Sequence, residues 1–269
     1  MLPFLPKTAG RRRSALRLTE VSRSVQVYGG FLLPHVTPQS RVVDIGCGSG
    51  ELSLGLARHV GRLVGVDSDV ADIEAAAELA ESLGVDNATF HLGDAYALAF
   101  PADEADVVFA HSVLEALARP QDALLEAKRV LKPGGVMAAA SVEYGGLILA
   151  GPDEELLWRF YEIRQQLWRT AGSDPCLGRH LRGLLIQAGF REVVCTTMCI
   201  SYGSGDSVKE FGLGRAADCT DDWYVSSAKR LGLATQDELA AMRQAWLDWS
   251  QSPLSYAAFA WCQALGWKP

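Results

Sequence analysis

Residues 42–54 read VVDIGCGSGELSL, and the three glycines of this stretch occupy alternate positions after a short apolar run. The loop residues that could take part in binding are Asp44, Gly46, Gly48, Gly50 and Glu51. Glycine has no Cβ, so a ligand can lie close to the backbone, and a following helix supplies unpaired N–H groups. Dinucleotide-binding loops have the spacing GxGxxG around a pyrophosphate. Here an acid precedes and an acid follows the loop, which favours a cationic ligand over a phosphate.

Two further acids stand where predicted strands end. Asp67, followed by Ser68, ends the second predicted strand, and Asp94, followed by Ala95, ends the third. The Asp67 carboxylate could accept hydrogen bonds from both hydroxyls of a ribose, and Asp94 could accept one from the exocyclic amine of an adenine. The alternative is that Asp67 caps a helix and Asp94 forms a turn. Together with the glycine loop, these residues predict a single binding crevice.

The elements that would position this crevice alternate between strand and helix. Strands are predicted over residues 41–46, 62–67, 88–94, 105–111 and 135–142. Helices are predicted over residues 19–35, 51–60, 68–84 and 120–131. Strands separated by helical stretches predict βαβ units and a parallel sheet. Right-handed crossovers then place helices on both faces of that sheet.

The pattern changes after residue 142, where the helices become rich in aromatic residues. Helices are predicted over 153–170, 178–190 and much of 206–251, and strands over 191–202 and 255–267. We interpret residues 1–18 as an irregular tail and 19–269 as one domain, with cap insertions at about 144–177 and 203–252. The candidate substrate contacts are Glu143, Tyr144, Trp158, Tyr161, Phe211, Trp223 and Tyr224. Core packing is the alternative role for these aromatics, but an aromatic-rich cap favours an apolar or aromatic ligand.

Composition excludes several classes of function. The chain has 269 residues, a net charge of −7 and a pI of about 5.3, whereas nucleic-acid-binding proteins usually have a basic face. No apolar run approaches the length of a membrane span.

None of the six cysteines forms a CxxC pair or a zinc-site spacing, so we expect no metal site and a reducing, cytoplasmic compartment. Cys195 and Cys199 share a strand face and are expected to be buried.

The motifs together resemble those of the class I S-adenosylmethionine-dependent methyltransferases, in particular small-molecule members with a UbiE-like methyltransferase domain. The resemblance rests on VVDIGCGSG, VGVDSD, HLGDA, ADVVFAHSVLEAL and RVLKPGG, within about residues 20–142. It implies a Rossmann-like, mostly parallel sheet of seven strands with the last strand antiparallel, and S-adenosylmethionine as the cofactor with S-adenosylhomocysteine as the product. It also implies that Arg23 and Tyr28 face the methionine end of the cofactor. Members that methylate nucleic-acid bases carry an Asn/Asp-Pro-Pro-Tyr/Phe motif after strand four, where this chain reads HSVL.

A methyl group leaves a sulfonium by in-line displacement, so the protein mainly has to align the nucleophile and exclude water. A base is needed only if the nucleophile keeps its proton at neutral pH. His111, just past strand four, is the candidate base, because its pKa suits the role. The alternative is that its backbone helps to hold the methionine part of the cofactor while its ring packs.

The leading hypothesis is methyl transfer to oxygen, nitrogen or carbon of a small, apolar or aromatic metabolite, as in secondary biosynthesis. A second hypothesis keeps S-adenosylmethionine but uses it in a cyclase or another non-methylating reaction, since a fold does not fix a function. A third, a binding module without turnover, is disfavoured by the intact motifs. The sequence predicts no partner besides a small molecule, and no particular oligomeric state.

Overall fold

The computed structural model of the protein describes residues 24–269, which contain one seven-stranded sheet with the strand order β3-β2-β1-β4-β5-β7-β6. The four strand pairs from β3 to β5 are all parallel. The strands are β1 (Arg41–Ile45), β2 (Arg62–Asp67), β3 (Ala88–Leu92), β4 (Ala105–His111), β5 (Leu131–Ala150), β6 (Arg191–Tyr202) and β7 (Tyr256–Trp267). The central strands are buried, as their Val- and Ala-rich sequences require in a sheet covered on both faces.

The last strand runs against its neighbour β5. The amide of Gly134 donates to the carbonyl of Lys268 over 2.9 Å, and the amide of Lys268 donates to the carbonyl of Gly135 over 2.9 Å. The end of β7 therefore lies beside the start of β5, which is an antiparallel arrangement. The predicted fold class, a mostly parallel sheet of seven strands with an antiparallel last strand, is confirmed.

Helices join most of the strands, and local sequence explains where they begin. The described helices are α1 (Val25–Tyr28), α2 (Glu51–Ala57), α3 (Val70–Ser82), α4 (Pro120–Val130), α5 (Glu154–Thr170), α6 (Leu181–Gln187), α7 (Gly205–Asp218), α8 (Asp222–Arg230) and α9 (Gln236–Trp249). The Asp69 side chain caps α3 by accepting from the Ala71 amide. Ser204 and Thr235 each form a capping box, at the starts of α7 and α9.

Several predicted boundaries are wrong for identifiable reasons. The helix predicted over 19–35 is, in its described part, only α1 and a 3-10 turn at Leu33–His35, because Gly29 and Gly30 follow α1 directly. Residues 178–190 divide between a 3-10 turn at Leu177–His180 and α6. The third strand ends at Leu92, so Asp94 lies in the turn that follows.

The fifth strand is longer than predicted and occupies Leu131–Ala150. The Lys-Pro-Gly-Gly stretch at its start predicts a break, but its two glycines are paired with the end of the chain. The predicted burial of Cys195 and Cys199 is also wrong. Both lie on β6, at the edge of the sheet, and both are exposed.

Among the described residues, the chain divides into two compact units. The first, here called the sheet unit, contains residues 24–142, 176–198 and 261–269. Its core consists of aliphatic side chains from β1, β4, β5, α4 and α6. The second, here called the aromatic unit, contains residues 143–175 and 199–260. Its core holds fully buried Phe160, Tyr161, Tyr224, Trp246 and Trp249. The predicted single domain with two insertions stays a prediction.

No helix within residues 24–269 combines the length and the hydropathy that crossing a membrane would require.

Candidate functional site

The glycine loop between β1 and α2 adopts a backbone that other residues rarely tolerate. Gly46, Gly48 and Gly50 have φ values of 69°, 53° and 82°, all in the left-handed region. A Cβ on Gly46 would overlap Val113 Cγ2, and one on Gly50 would lie 2.8 Å from the Cβ of Ala76. Gly50 is also the residue that precedes the first turn of α2. The three glycines are therefore required by conformation, and at two of them by space as well.

Asp67 joins the end of β2 to this loop. Its Oδ2 accepts from the Gly48 amide over 3.0 Å, and its Oδ1 accepts from the Asp69 amide over 3.1 Å. The side chain is only 5% exposed. A carboxylate has about four acceptor positions. Asp67 therefore ties the end of β2 to the glycine loop.

Asp44 lies at the other side of the loop, within β1. The carboxylate is buried, and its Oδ2 accepts a 2.5 Å hydrogen bond from the Ser53 hydroxyl on α2. A buried carboxylate requires such partners. The contact ties the strand before the loop to the helix after it.

The turn after β3 holds Asp94 and Ala95. Asp94 is exposed, and its Oδ1 accepts from the Tyr96 amide over 2.9 Å, which closes the turn. Gly93, just before it, donates its amide to the carbonyl of Asp67 over 2.8 Å, so this turn is fixed to the end of β2. Ser68 is exposed beside Asp67. The structure therefore brings Asp44, the glycines, Asp67, Ser68, Asp94 and Ala95 to the carboxyl ends of β1, β2 and β3.

Three aromatic rings pack together at the carboxyl end of β4. The His111 ring stacks on Trp261, with centroids 4.7 Å apart and planes at 19°, and meets the edge of Tyr28 at 5.3 Å. Tyr28 and Trp261 also touch each other edge to face at 5.7 Å. We call Tyr28, His111 and Trp261 the aromatic trio. Tyr28 and His111 were predicted from sequence, whereas Arg23 lies outside the described residues.

A buried acid that sequence reasoning did not single out follows β4. Glu115 is completely buried, and its Oε2 accepts from the Ser141 hydroxyl on β5 over 2.7 Å. Burial raises the pKa of Glu115, while the hydroxyls of Ser141 and Ser112 partly offset the increase. The signal in the sequence was a single charged residue inside the apolar run SVLEAL.

The predicted substrate contacts have different environments within the aromatic unit. Tyr144 packs against Tyr161 at 5.8 Å between centroids, and both rings are buried. The Tyr224 hydroxyl donates to the carbonyl of Phe160 over 3.2 Å, which satisfies it inside the core. Glu143 is buried and accepts from the Gly145 amide, and Phe211 is buried too. Trp158 is 37% exposed and Trp223 is half-buried.

Sequence reasoning also missed Trp261 and a pair of buried arginines. Trp261 lies on β7 two residues after Phe259, a spacing that places both rings on one face of a strand. Arg164 and Arg215 occupy inward-facing positions of α5 and α7, with side chains only 14% and 13% exposed. Their signal is helical spacing: each stands three residues from another buried polar side chain, Tyr161 or Asp218.

Comparisons with known proteins agree with this geometry. A family model described as a methyltransferase domain matches residues 37–168. An uncharacterised methyltransferase of Schizosaccharomyces pombe is 32% identical over 181 residues, which cover 64% of each chain. A probable methyltransferase of Aspergillus luteorubrus, ltbC, is 26% identical over 267 residues, or 93% of each chain.

Among solved structures, the [4+2]-cyclase SpnF has a TM-score of 0.54 to this chain and 24% sequence identity. The alignment covers 99% of this chain and 83% of that one. At this level of identity, the likeness supports the fold alone.

The resemblance drawn from the glycine loop and the strand-end acids is thus confirmed by the family match over residues 37–168, by the two relatives and by the sheet order. The glycine loop and the buried Asp67 at the end of β2 line this crevice. A backbone loop and a carboxylate suit a cofactor whose ribose hydroxyls are free, whereas a phosphate on the ribose would call for a basic side chain. Residues 37–168 therefore form a methyltransferase domain of the class I S-adenosylmethionine-dependent kind, whose cofactor is S-adenosylmethionine.

Proposed function

We propose that the protein transfers a methyl group from S-adenosylmethionine to oxygen, nitrogen or carbon of a small molecule with an apolar or aromatic body. The observation that carries the proposal is the Asp67 carboxylate, fixed by the Gly48 amide at the mouth of a left-handed glycine loop. The aromatic core of the second unit supports an apolar or aromatic acceptor. The net charge of −7 supports a small molecule over a nucleic acid.

In this proposal the glycine loop lets the backbone approach the methionine part of the cofactor, and Asp67 accepts from the ribose hydroxyls. Ser68 lies beside Asp67, and Asp94 and Ala95 lie on the adenine side. The Asp44 carboxylate, held by Ser53, keeps β1 and α2 in register on either side of the loop. Arg23 and Tyr28 would contact the methionine end. Asp44, Glu51 and Asp67 together make the surroundings favourable for a positive charge.

When bound, the sulfonium supplies an activated methyl group, so the chain's own task is orientation and exclusion of water. Within the aromatic trio, Tyr28 and His111 are buried and Trp261 is half-buried. The face of an aromatic ring tolerates a nearby cation better than an aliphatic wall does. Packing of the His111 ring between Tyr28 and Trp261 favours the positioning role of His111 over the role of general base. Glu143, Tyr144, Trp158, Tyr161, Phe211, Trp223 and Tyr224 remain the candidate substrate contacts. We expect the reaction to take place in the cytoplasm.

The proposal is tested by measuring S-adenosylmethionine binding to Asp67→Ala by titration calorimetry. Loss of a charged acceptor and of the loop's anchor should weaken binding by at least about 10-fold. Asp86→Ala is the control, because Asp86 is an exposed aspartate outside the crevice and its loss should leave the affinity unchanged. An unchanged affinity in Asp67→Ala would show that the ribose is held elsewhere.

The second candidate is a non-methylating reaction that uses the same cofactor site. The [4+2]-cyclase SpnF shares the fold of this chain, and a fold does not fix a function. Labelled S-adenosylmethionine, added with an extract of the source organism, separates the two. Methyl transfer releases S-adenosylhomocysteine in equal amount to a labelled product. Conversion of a substrate without S-adenosylhomocysteine would instead support the cyclase-type reaction.

A further inference from the structure

A group of charged and phenolic side chains is buried inside the aromatic unit, and methyl transfer as proposed leaves its charges without a role. We call Tyr144, Tyr161, Arg164, Arg215 and Asp218 the arginine cluster. Tyr161 and Arg164 stand three residues apart on α5, and Arg215 and Asp218 stand three apart on α7. That spacing places each pair on a single helix face. Two helices therefore contribute one guanidinium each to the same buried location.

Both guanidinium groups share one acceptor oxygen. Nη1 of Arg164 lies 3.2 Å from Oδ2 of Asp218, and Nη1 of Arg215 lies 3.1 Å from the same oxygen. The three charged side chains are exposed by only 14%, 13% and 9%. Tyr144 adds a hydrogen bond to Arg164 from the strand side. The cluster is thus a compact, largely dehydrated arrangement rather than a surface ion pair.

The charges of the cluster do not balance. Among the described residues, two guanidinium groups face one carboxylate, which leaves a net charge of +1 at this buried location. Glu143, the other buried acid at the start of this unit, precedes Tyr144 on β5, so strand alternation directs it to the opposite face. A buried uncompensated charge is strongly unfavourable, and one negative charge would balance it.

Three donors of the cluster lack an acceptor among the described residues: Nε of Arg164, Nε of Arg215 and the hydroxyl of Tyr161. Tyr161 is completely buried, and its burial raises the pKa of the phenol well above the ordinary value, so the hydroxyl keeps its proton and remains a donor. Buried donors in native proteins almost always have partners. An oxyanion supplies acceptor atoms of this kind and carries the missing charge as well.

The surroundings indicate what else such a ligand would contain. The Arg164 guanidinium lies 5.9 Å from the centroid of the Trp168 ring, and the Arg215 guanidinium lies 5.3 Å from that of Phe211. Tyr144 packs edge to face on Trp168 and on Phe259. Aromatic rings around a charged centre suit a molecule with an apolar body and a single charged group. A phosphate dianion carries more negative charge than the net charge of +1 on the cluster, whereas a carboxylate carries one negative charge and balances it.

We propose that the arginine cluster binds the carboxylate of a small apolar or aromatic acid. This acid belongs to the class of small apolar or aromatic molecules proposed above, and in that respect the assignment of the ligand rests on the proposed function. Arg164, Arg215 and the Tyr161 hydroxyl donate to the carboxylate, while Asp218 holds the two guanidinium groups in place. An amide or an alcohol of the same shape leaves the positive charge unbalanced and binds more weakly.

The test compares acids with their neutral amides on the full-length protein. The probes are benzoate against benzamide and 3-phenylpropionate against 3-phenylpropanamide, and their affinities are measured by calorimetry with and without S-adenosylhomocysteine. At least one acid should bind about 10-fold more tightly than its amide, since a charge-assisted hydrogen bond is about twice as strong as a neutral one. The assignment is overturned if neither acid is preferred.

Arg164→Met should abolish the preference for the acid, whereas the control Arg169→Met should retain it, because Arg169 is an exposed residue of the same helix. A preference that survives Arg164→Met would also overturn the assignment. Arg215→Lys is a second test variant: it keeps the charge but removes the planar donor set, so the preference should fall by several-fold.

The thermal unfolding temperature of the ligand-free protein gives an independent readout. Arg164→Met leaves Arg215 and Asp218 as a balanced pair, so the unfolding temperature should stay unchanged or rise. A clear decrease would indicate that the second arginine is purely structural and would overturn the proposal. Failure of the proposed function is distinguishable, because it would appear as absent binding of S-adenosylmethionine while the preference for acids in the cofactor-free protein persists.

Discussion

Asp67 and Asp218 are both buried aspartates that organise a candidate binding site, but they do so with different partners. Asp67 accepts from two backbone amides, those of Gly48 and Asp69. Asp218 accepts from two side chains, one of them 54 residues away along the chain. The first site is formed by a loop whose conformation only glycine tolerates, so residue types and spacing reveal it. The second depends on how α5 and α7 each pack against α9, which local spacing does not encode.

The largest change in stability is expected when the aspartate of the arginine cluster, Asp218, loses its charge. Asp218→Asn leaves two buried guanidinium groups without a counter-charge and should lower the free energy of unfolding by about 3–5 kcal/mol. Urea unfolding measures the change. The control is Asp206→Asn, an exposed aspartate at the start of the same helix, which should change stability by less than about 1 kcal/mol.

If Asp218→Asn lowers the free energy of unfolding by less than about 1 kcal/mol, water screens the charges of the cluster. Asp218 and Asp67 would then differ mainly in their exposure to water, and not in the kind of hydrogen-bond partner.

The next largest change in stability is expected in the glycine loop between β1 and α2. Gly46→Ala combines a left-handed φ of 69° with an overlap on Val113, so we expect a loss of about 2–3 kcal/mol in unfolding free energy. Gly84→Ala is the matched control, because Gly84 has a φ of 62° and no atom near its missing Cβ. It should lose only about 1 kcal/mol.

Adding Val113→Ala to Gly46→Ala should recover the steric part of the loss and leave the conformational part. If the double variant recovers nothing, the overlap is relieved by other movements and the loop is less rigid than its contacts indicate.

The smallest effect concerns Glu115, a buried acid with no oppositely charged side chain beside it in the described part of the chain. Burial places its folded-state pKa above the ordinary value of 4.5, so the folded protein binds the proton more tightly than the unfolded chain. This carboxyl group therefore lowers stability progressively as the pH rises above about 4.5. Glu115→Gln cannot ionise and should be more stable than the wild type at pH 8, by about 1 kcal/mol.

At pH 4, below the ordinary pKa of 4.5, the Glu115 carboxyl is largely protonated in both states, so the two proteins should differ much less in stability. A difference that does not depend on pH would assign the effect to packing. The pH dependence is measured by urea unfolding at a series of pH values.

Much of the sheet unit could be predicted from sequence, because its information is local. The bounds of β2 and β4 agree with the prediction residue for residue, and the glycine loop lies where the motif places it. Asp94 is an intermediate case: its turn was recognised as the alternative role, and the Tyr96 amide does close it. Its role toward an adenine stays a prediction, as do the roles of the other site residues.

The features that the sequence did not predict depend on contacts between residues that are distant along the chain. The Lys-Pro-Gly-Gly stretch predicts a turn by composition, but pairing with Lys268 makes it strand. Trp261 joins Tyr28 and His111 only through the position of β7 between β5 and β6. Arg164 and Asp218 meet because α5 and α7 both pack against α9. In each case the decisive partner is 50 or more residues away.

The hydrogen bonds from Gly48 and Asp69 to Asp67 have a thermodynamic consequence for ligand capture. The turn that would otherwise have to be ordered around a ligand is already ordered when the chain folds, so its entropic cost falls on folding stability and not on affinity. Binding at this crevice should accordingly proceed with little unfavourable entropy from the loop and little change in its amide hydrogen exchange. The glycines lower the folding stability of the protein slightly, because ordering them costs conformational entropy. The crevice is therefore already ordered in the ligand-free protein.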